Sequence, residues 1–373
     1  MQPSLPRVKT GAIVALRLYD LAYSIDLSEV EAIWAAHAAV ASSRSRLNAA
    51  PPKALTFDVP PVALTLGPVN LTIHGARIVA AAAARIYDFG VVALELQIPV
   101  AALSWQEFGG LLNGVDEVIG PHAAAEVWTG QLSRVRDLLK PAFLRPSGST
   151  MQEDYLLGIV REWSEPVSTA DLGDRIDLVP LLSGEHRALS ESARRELLRQ
   201  RFSYFADDLV VLTWDRAFIY EPHGDSDVAD VIEVANAQLL ELRYYDELLD
   251  DELPRMYDLV EAAQRARDLL APRRFAHLAR RLYTLVAEVT ELTEKVDNAL
   301  QVTEDVYLAR VYSAALETLR VRNVAAAVDR KLAIIRDTYS ALYDEATGSR
   351  ADLLEIAIVL LIVLEILLAL IRH

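Results

Sequence analysis

The chain has 373 residues, 52% of them hydrophobic, and no cysteine. It can therefore bury a large core, while disulfide frameworks, thiolate metal sites and cysteine catalysis are excluded. Its net charge is −16 and residues 1–150 carry 12 basic and 12 acidic residues, so the whole excess lies in 151–373, a surface that repels phosphate backbones and disfavours direct nucleic-acid binding.

Residues 12–19 (AIVALRLY) read as a strand, and the N-terminus lacks the long apolar run of a secretory signal. Ser28 and Glu31 have capping-box spacing and open a helical stretch toward Leu47. A connection with Pro51, Pro52, Pro60, Pro61 and Pro68 has room for short edge strands at best. The alanines of ARIVAAAAARIY favour helix by propensity. The turn Asp88-Phe89-Gly90 before VVALELQI points instead to two paired strands. Ser104 and Glu107 form a second capping box, with helices running to about Lys140. Pro141, Pro146 and residues 147–149 then punctuate the chain, closing a first half over 1–150.

A second half, 151–253, repeats the order. DYLLGIVREW (154–163) reads as a strand and 189–202 as a basic helix. FSYFADDLVVLTWDRAFIYEP reads as two strands about a tight turn near Asp215-Arg216, and a helix over about 226–250 follows. The shared order, strand, helix, hairpin, helix, suggests a duplicated unit within one α+β head.

Residues 254–350 carry no strand signal and read as an all-α coiled-coil stalk. One seam is Phe275, Leu278, Leu282, Leu285, Val289, Leu292, Val296 and Ala299. The other is Ala325, Val328, Leu332, Ile335, Tyr339, Leu342 and Ala346. Both step three and four residues in alternation, the spacing of a coiled coil.

Residues 351–373 read as one C-terminal transmembrane helix. Leu353 to Ile371 would extend about 28 Å, close to a hydrocarbon core of roughly 30 Å. Glu355 and Glu365 interrupt it. On an insertion scale the apolar residues outweigh a central carboxylate by a few kcal/mol (roughly −7 against +3). The expectation is a tail-anchored, single-pass protein of the cytoplasmic membrane with its bulk in the cytoplasm, Glu355 and Glu365 marking an oligomer seam. The alternative for this segment is a buried core helix.

No phosphate-binding loop, GxSxG or HExxH motif is present, and the seven histidines are scattered. Asp246, Glu247 and Asp250, with Asp251 and Glu252, can either hold a hard cation or form a solvated face. Arg194, Arg195, Arg199 and Arg201 form one basic cluster. Arg265, Arg267, Arg273, Arg274, Arg280 and Arg281 form another. Contact with anionic lipid or RNA and neutralisation of the acidic helices both account for them.

NAQLLELRYYDELLD (236–250), SYFADDLVVLTWDRAFIYEP (203–222), IYDFGVV (86–92) and the ending SRADLLEIAIVLLIVLEILLAL together resemble the required-for-meiotic-nuclear-division (YagE) family. The resemblance implies a membrane-associated homo-oligomer. It supplies no catalytic residues.

The expected function is a membrane-anchored, oligomeric scaffold or tether without catalysis and without a cofactor. Its partners would be the lipid bilayer, further copies of itself and other membrane-proximal proteins. An ion channel of CorA-like plan, with Glu365 lining an oligomeric pore, is the alternative. An enzyme using the 246–252 carboxylates is a third.

Overall fold

The computed structural model describes residues 6–37, 43–44, 56–57, 59–123, 126–185, 187–223, 227–265, 271–301 and 306–341. The chain opens with β1 (Arg7–Asp20), β2 (Ala22–Ile25) and α1 (Leu27–His37). The two-residue strands β3 (Ser43–Arg44) and β4 (Thr56–Phe57) precede the long β5 (Val62–Ile73), β6 (Ala76–Ile86) and β7 (Val91–Ser104). Next come α2 (Trp105–Ile119), α3 (Glu126–Leu139), β8 (Phe143–Pro146) and β9 (Gln152–Trp163). Three short helices follow, α4 (Thr169–Arg175), α5 (Val179–Ser183) and α6 (Glu191–Leu197). The strands β10 (Gln200–Phe202), β11 (Leu209–Leu212) and β12 (Arg216–Tyr220) lead into the 38-residue α7 (Val228–Arg265). The rest is α8 (Ala271–Ala299), β13 (Leu300–Gln301), α9 (Val306–Thr318) and α10 over 321–341.

Among the described residues, nine strands form one mixed sheet in the order β10-β11-β12-β9-β1-β7-β6-β5-β3. Both long neighbours of β1 run antiparallel to it. Its continuous apolar run is buried on both faces, the pattern of a central strand rather than of one with a wet side. The alanines of β6 are strand, paired with β5 and β7. Ala80, Ala82 and Ala84 alternate into the core, so cross-strand packing overrides helix propensity. Ser104 and Glu107 close the capping box of α2. At α1 the cap is Asp26, whose Oδ1 accepts from the backbone N–H groups of Ser28 and Glu29, so the helix starts before Ser28.

The expected duplication does not hold. Strand order is mirrored about the β1–β9 pair, but β7 is antiparallel to β1 whereas β12 is parallel to β9. The two halves are therefore not copies of one unit. β1–β9 pairing makes them a single sheet with helices.

The described residues belong to two compact units. The first comprises Met1–Tyr244 with Lys295–Arg322 and contains the sheet. The second comprises Tyr245–Glu294 with Asn323–His373.

The second unit corrects the coiled-coil stalk. Leu278, Leu282, Val289, Val328 and Ile335 are buried, and Leu285 and Leu332 are half-buried, yet the contacts involve three helices. Arg281 of α8 bonds Glu252 of α7 at 3.1 Å, Lys331 of α10 meets Asp246 of α7 at 2.6 Å, and the Tyr283 and Tyr339 rings of α8 and α10 lie 5.8 Å apart. A three-and-four spacing makes an apolar stripe, and a three-helix packing buries that stripe as well as a two-stranded coil does. Leu292 lies on α8, and Leu342 lies outside the described residues.

The membrane expectation is corrected too. Among the described residues no helix is long and apolar enough to cross a membrane; the longest, α7, is charged along its length. A single-pass membrane location is therefore unsupported. Residues 351–373, with Glu355 and Glu365, lie outside the described residues.

Candidate functional site

In the first unit α2 lies close on the sheet because β9 carries Gly158 beneath it. A Cβ there would stand 2.8 Å from Leu112 Cδ1. Phe108 and Leu112 thus pack down, and the polar residues of the next turn, Asn113 and Asp116, come to the end of β12, where Arg216 begins.

The β11–β12 hairpin turns through Thr213, Trp214, Asp215 and Arg216, held from several directions. Thr213 N–H donates to Arg216 O at 2.8 Å, and Thr213 Oγ1 accepts from Arg216 N–H at 3.2 Å. Leu156 N–H donates to Asp215 O at 3.0 Å. The buried Tyr155 hydroxyl stands 2.8 Å from both Thr213 O and Arg216 O, and burial raises its pKa well above the ordinary value. The Arg216 side chain is 4% exposed. Its Nη1 donates to Asn113 Oδ1 at 2.6 Å and to Leu181 O at 2.9 Å, and its Nη2 to Asp116 Oδ2 at 2.6 Å. Gly184, at φ +65°, leaves room for this guanidinium, since a Cβ there would stand 2.5 Å from Nη2.

This fixed turn separates two concavities. On one side Asp215 faces a small cleft with Asp116, Asp154 and Tyr155. Its volume is about 20 Å³, room for a single water. Burial raises Asp154 and Asp215 above the usual carboxylate range; Arg17 opposes this at Asp154 and Arg216 at Asp215. Asp215 and Asp116 also raise Asp154, and Asp116 raises Asp215. The cleft has charge but no space for an organic substrate.

On the other side Trp214, 53% exposed, borders a cavity of about 570 Å³. Leu197, Arg199, Glu317, Thr318 and Arg320 are among its walls. Arg199 pairs with Glu196 at 3.4 Å and with Glu317 at 3.1 Å. The Arg320 guanidinium lies 6.0 Å over the Trp214 ring. The volume is that of a small-molecule site.

A third polar group is internal. Arg85 Nη1 lies 2.7 Å from Asp230 Oδ1 and 3.3 Å from Glu233 Oε2, and the Tyr87 hydroxyl donates to Glu233 Oε1 at 2.7 Å. Burial pushes Glu233 up to about 7, against the pull of Arg85. These residues line neither concavity; they clasp β6 and the turn after it to α7.

The acidic residues singled out from sequence lie in the second unit. Lys331 Nζ is 2.6 Å from both Asp246 and Asp250, which leaves them engaged by a cation of the chain itself. No ion pair joins Glu247 to that cluster among the described residues. Among the described residues no group of three or more acidic or histidine side chains is disposed to hold a metal ion. Three arginines of the basic clusters are paired internally. Arg194 bonds Asp177, Arg199 bonds Glu196 and Glu317, and Arg281 bonds Glu252. Trp214, Arg320 and Thr318 went unnoticed in the sequence. The available signal was a Trp at the tip of a tight hairpin, where no flanking strand can cover it.

The model of the family described as "Uncharacterized protein MJ0711, N-terminal domain" matches residues 10–227. Uncharacterized protein MJ0711 of Methanocaldococcus jannaschii is 29% identical over 219 residues, 58% of this chain and 66% of that protein's own length. No solved structure matches the chain. These findings correct the resemblance to the required-for-meiotic-nuclear-division family. Its most specific pieces, the apolar ending and residues 236–250, lie outside the matched stretch.

Proposed function

The chain belongs to the family "Uncharacterized protein MJ0711, N-terminal domain", and we propose that this member is a binding protein without catalysis, which holds a small organic ligand in the cavity beside Trp214. The supporting observation is the turn itself. An exposed indole stands on a backbone fixed by Tyr155, Leu156 and Arg216, next to about 570 Å³ of open space. Exposing a Trp sacrifices apolar burial, and a rigid backbone reduces the ordering cost of a ligand that covers it. Of the charges lining the cavity, Arg199 is already matched by Glu196 and Glu317. The channel alternative depended on a membrane span through Glu365 and is not carried further.

Acrylamide quenching of the full chain tests this. Trp34, Trp105, Trp128 and Trp163 are buried, so the quenchable signal belongs to Trp214. A small-molecule panel is expected to contain compounds that shield Trp214 and raise Tm, with both effects lost in Trp214→Ala and with the compound recovered chemically unchanged. Conversion of the bound compound, or a panel that shields nothing, counts against the proposal.

A further inference from the structure

Resting on that reading of the cavity, we propose that its ligand is a flat ring carrying one anionic group, the ring lying on Trp214 and the anion held by Arg320 and Thr318. Two carboxylates line this cavity, Glu196 and Glu317, and both close on Arg199. Arg320 is on the same wall, and among the described residues no carboxylate pairs with it. Its guanidinium stands over the Trp214 ring instead, so its donors remain free for a planar acceptor such as a carboxylate or phosphate.

The backbone of Arg320 adds a second observation. Its φ is +56°, at the residue that ends the turn after α9, with its N–H donating to Glu317 O at 3.0 Å. Glycine is the usual occupant of such a left-handed helix-ending position, because a Cβ is strained there. The strain brings an arginine side chain to the cavity wall, and strained backbone of this kind gathers at ligand sites.

Thr318 supplies the third. Its Oγ1 is buried and has no hydrogen-bond partner, and the residue lines the cavity. A buried hydroxyl without a partner is destabilising, and rotation of the Thr318 side chain toward an anion oxygen in the cavity would satisfy it. Trp214 offers the stacking face, and its turn does not have to reorganise to do so.

The test uses the full chain and three probes: 1-naphthoate, its neutral isostere 1-naphthamide, and acetate. Binding is read by Trp214 fluorescence and stability by thermal melting. Naphthoate is expected to bind about ten-fold or more tightly than naphthamide, the effect of one charge-assisted contact, and acetate not to shield Trp214. Arg320→Gly relieves the left-handed strain, so its Tm is expected not to fall, while its preference for naphthoate disappears. Thr318→Val removes the unpartnered hydroxyl, so its Tm is expected to hold or rise while naphthoate binds several-fold more weakly. Equal binding of naphthoate and naphthamide to the unaltered chain overturns the anion site and leaves the cavity reading standing. An Arg320→Gly variant that binds naphthoate as well as the unaltered chain overturns it likewise. If neither ring compound perturbs Trp214, the proposal and the cavity reading both fail.

Discussion

Arg216 Nη2 and Asp116 Oδ2 are 2.6 Å apart, and this pair ties the β11–β12 hairpin to the helix lying on the middle of the sheet. Arg216 is buried and serves two further acceptors, Asn113 and Leu181 O. Removing Arg216 leaves Asn113 and Leu181 O without their donor and Asp116, 36% exposed, without its cation, a loss of roughly 2 kcal/mol once solvent screening is allowed for. Arg216→Met is expected to lower the urea midpoint accordingly. Arg216→Lys keeps the charge but not the planar fork, and should lose about half as much. A midpoint unchanged in both variants would show that the hairpin holds its place without the pair.

Tyr155→Phe tests the turn from beneath. The change removes the hydroxyl that stands against Thr213 O and Arg216 O while keeping the ring. A loss of about 1–2 kcal/mol is expected from two carbonyls left underbonded. Acrylamide should reach Trp214 more readily in the variant. Unaltered quenching with lowered stability would separate fold from display, and the rigidity argument would then be wrong.

Stability should fall as pH rises from about 4 to 7. Burial pushes Asp20 up to about 6, opposed by the Ser147 hydroxyl that donates to it at 2.7 Å. A carboxyl whose folded pKa exceeds its unfolded value holds its proton in the folded chain after the unfolded chain has lost it. Its contribution is present at low pH and is lost as pH climbs through the interval between the two. Glu233, pushed to about 7, acts in the same direction. Asp20→Asn is expected to be more stable than the unaltered chain at pH 7, by about 2 kcal/mol, and nearly equal to it at pH 4. Urea titrations at the two pH values decide it, and a variant less stable at pH 7 refutes the sign.

In the second unit, Lys331→Met should leave Asp246 and Asp250 facing one another without their cation. A loss of about 1 kcal/mol is expected, since the Lys331 side chain is mostly buried and Asp250 mostly exposed. Calcium should raise the Tm of this variant more than that of the unaltered chain, in which Lys331 occupies the space between the carboxylates. Equal calcium response in the two proteins would mean that Lys331 does not neutralise them.

Local signals in the sequence were reliable where a few residues decide the outcome. The Ser104–Glu107 box, the turn at Asp88-Phe89-Gly90 and the hairpin around Asp215 depend on neighbours within four positions, and each stands as read. Asp26 stands in place of Ser28 as the cap, since both have side chains able to serve and they lie two positions apart. Periodicity told less. A heptad stripe marks the buried side of a helix without saying how many helices cover it, so Leu282 and Ile335 were legible as core and their bundle was not. The helix read over about 226–250 runs on through Pro254 to Arg265. The junction of β1 with β9 lies beyond any local rule, since Val14 pairs with Leu157 through a register that only the folded sheet defines. Trp214 and Arg320, far apart in the chain, meet for the same reason.

The central place of β1 has a consequence for biosynthesis. This strand leaves the ribosome before both of its partners, residues 91–104 and 152–163. At a usual elongation rate of about 5–20 residues per second, its apolar segment GAIVALRLY waits several seconds for the first partner and longer for the second. Until residue 104 has emerged both of its hydrogen-bonding edges are open, and one stays open until β9 follows, which is the condition under which nascent strands associate with one another. Newly made chains should therefore depend on holding chaperones until β9 has emerged, and slowing translation after residue 104 should lengthen that dependence.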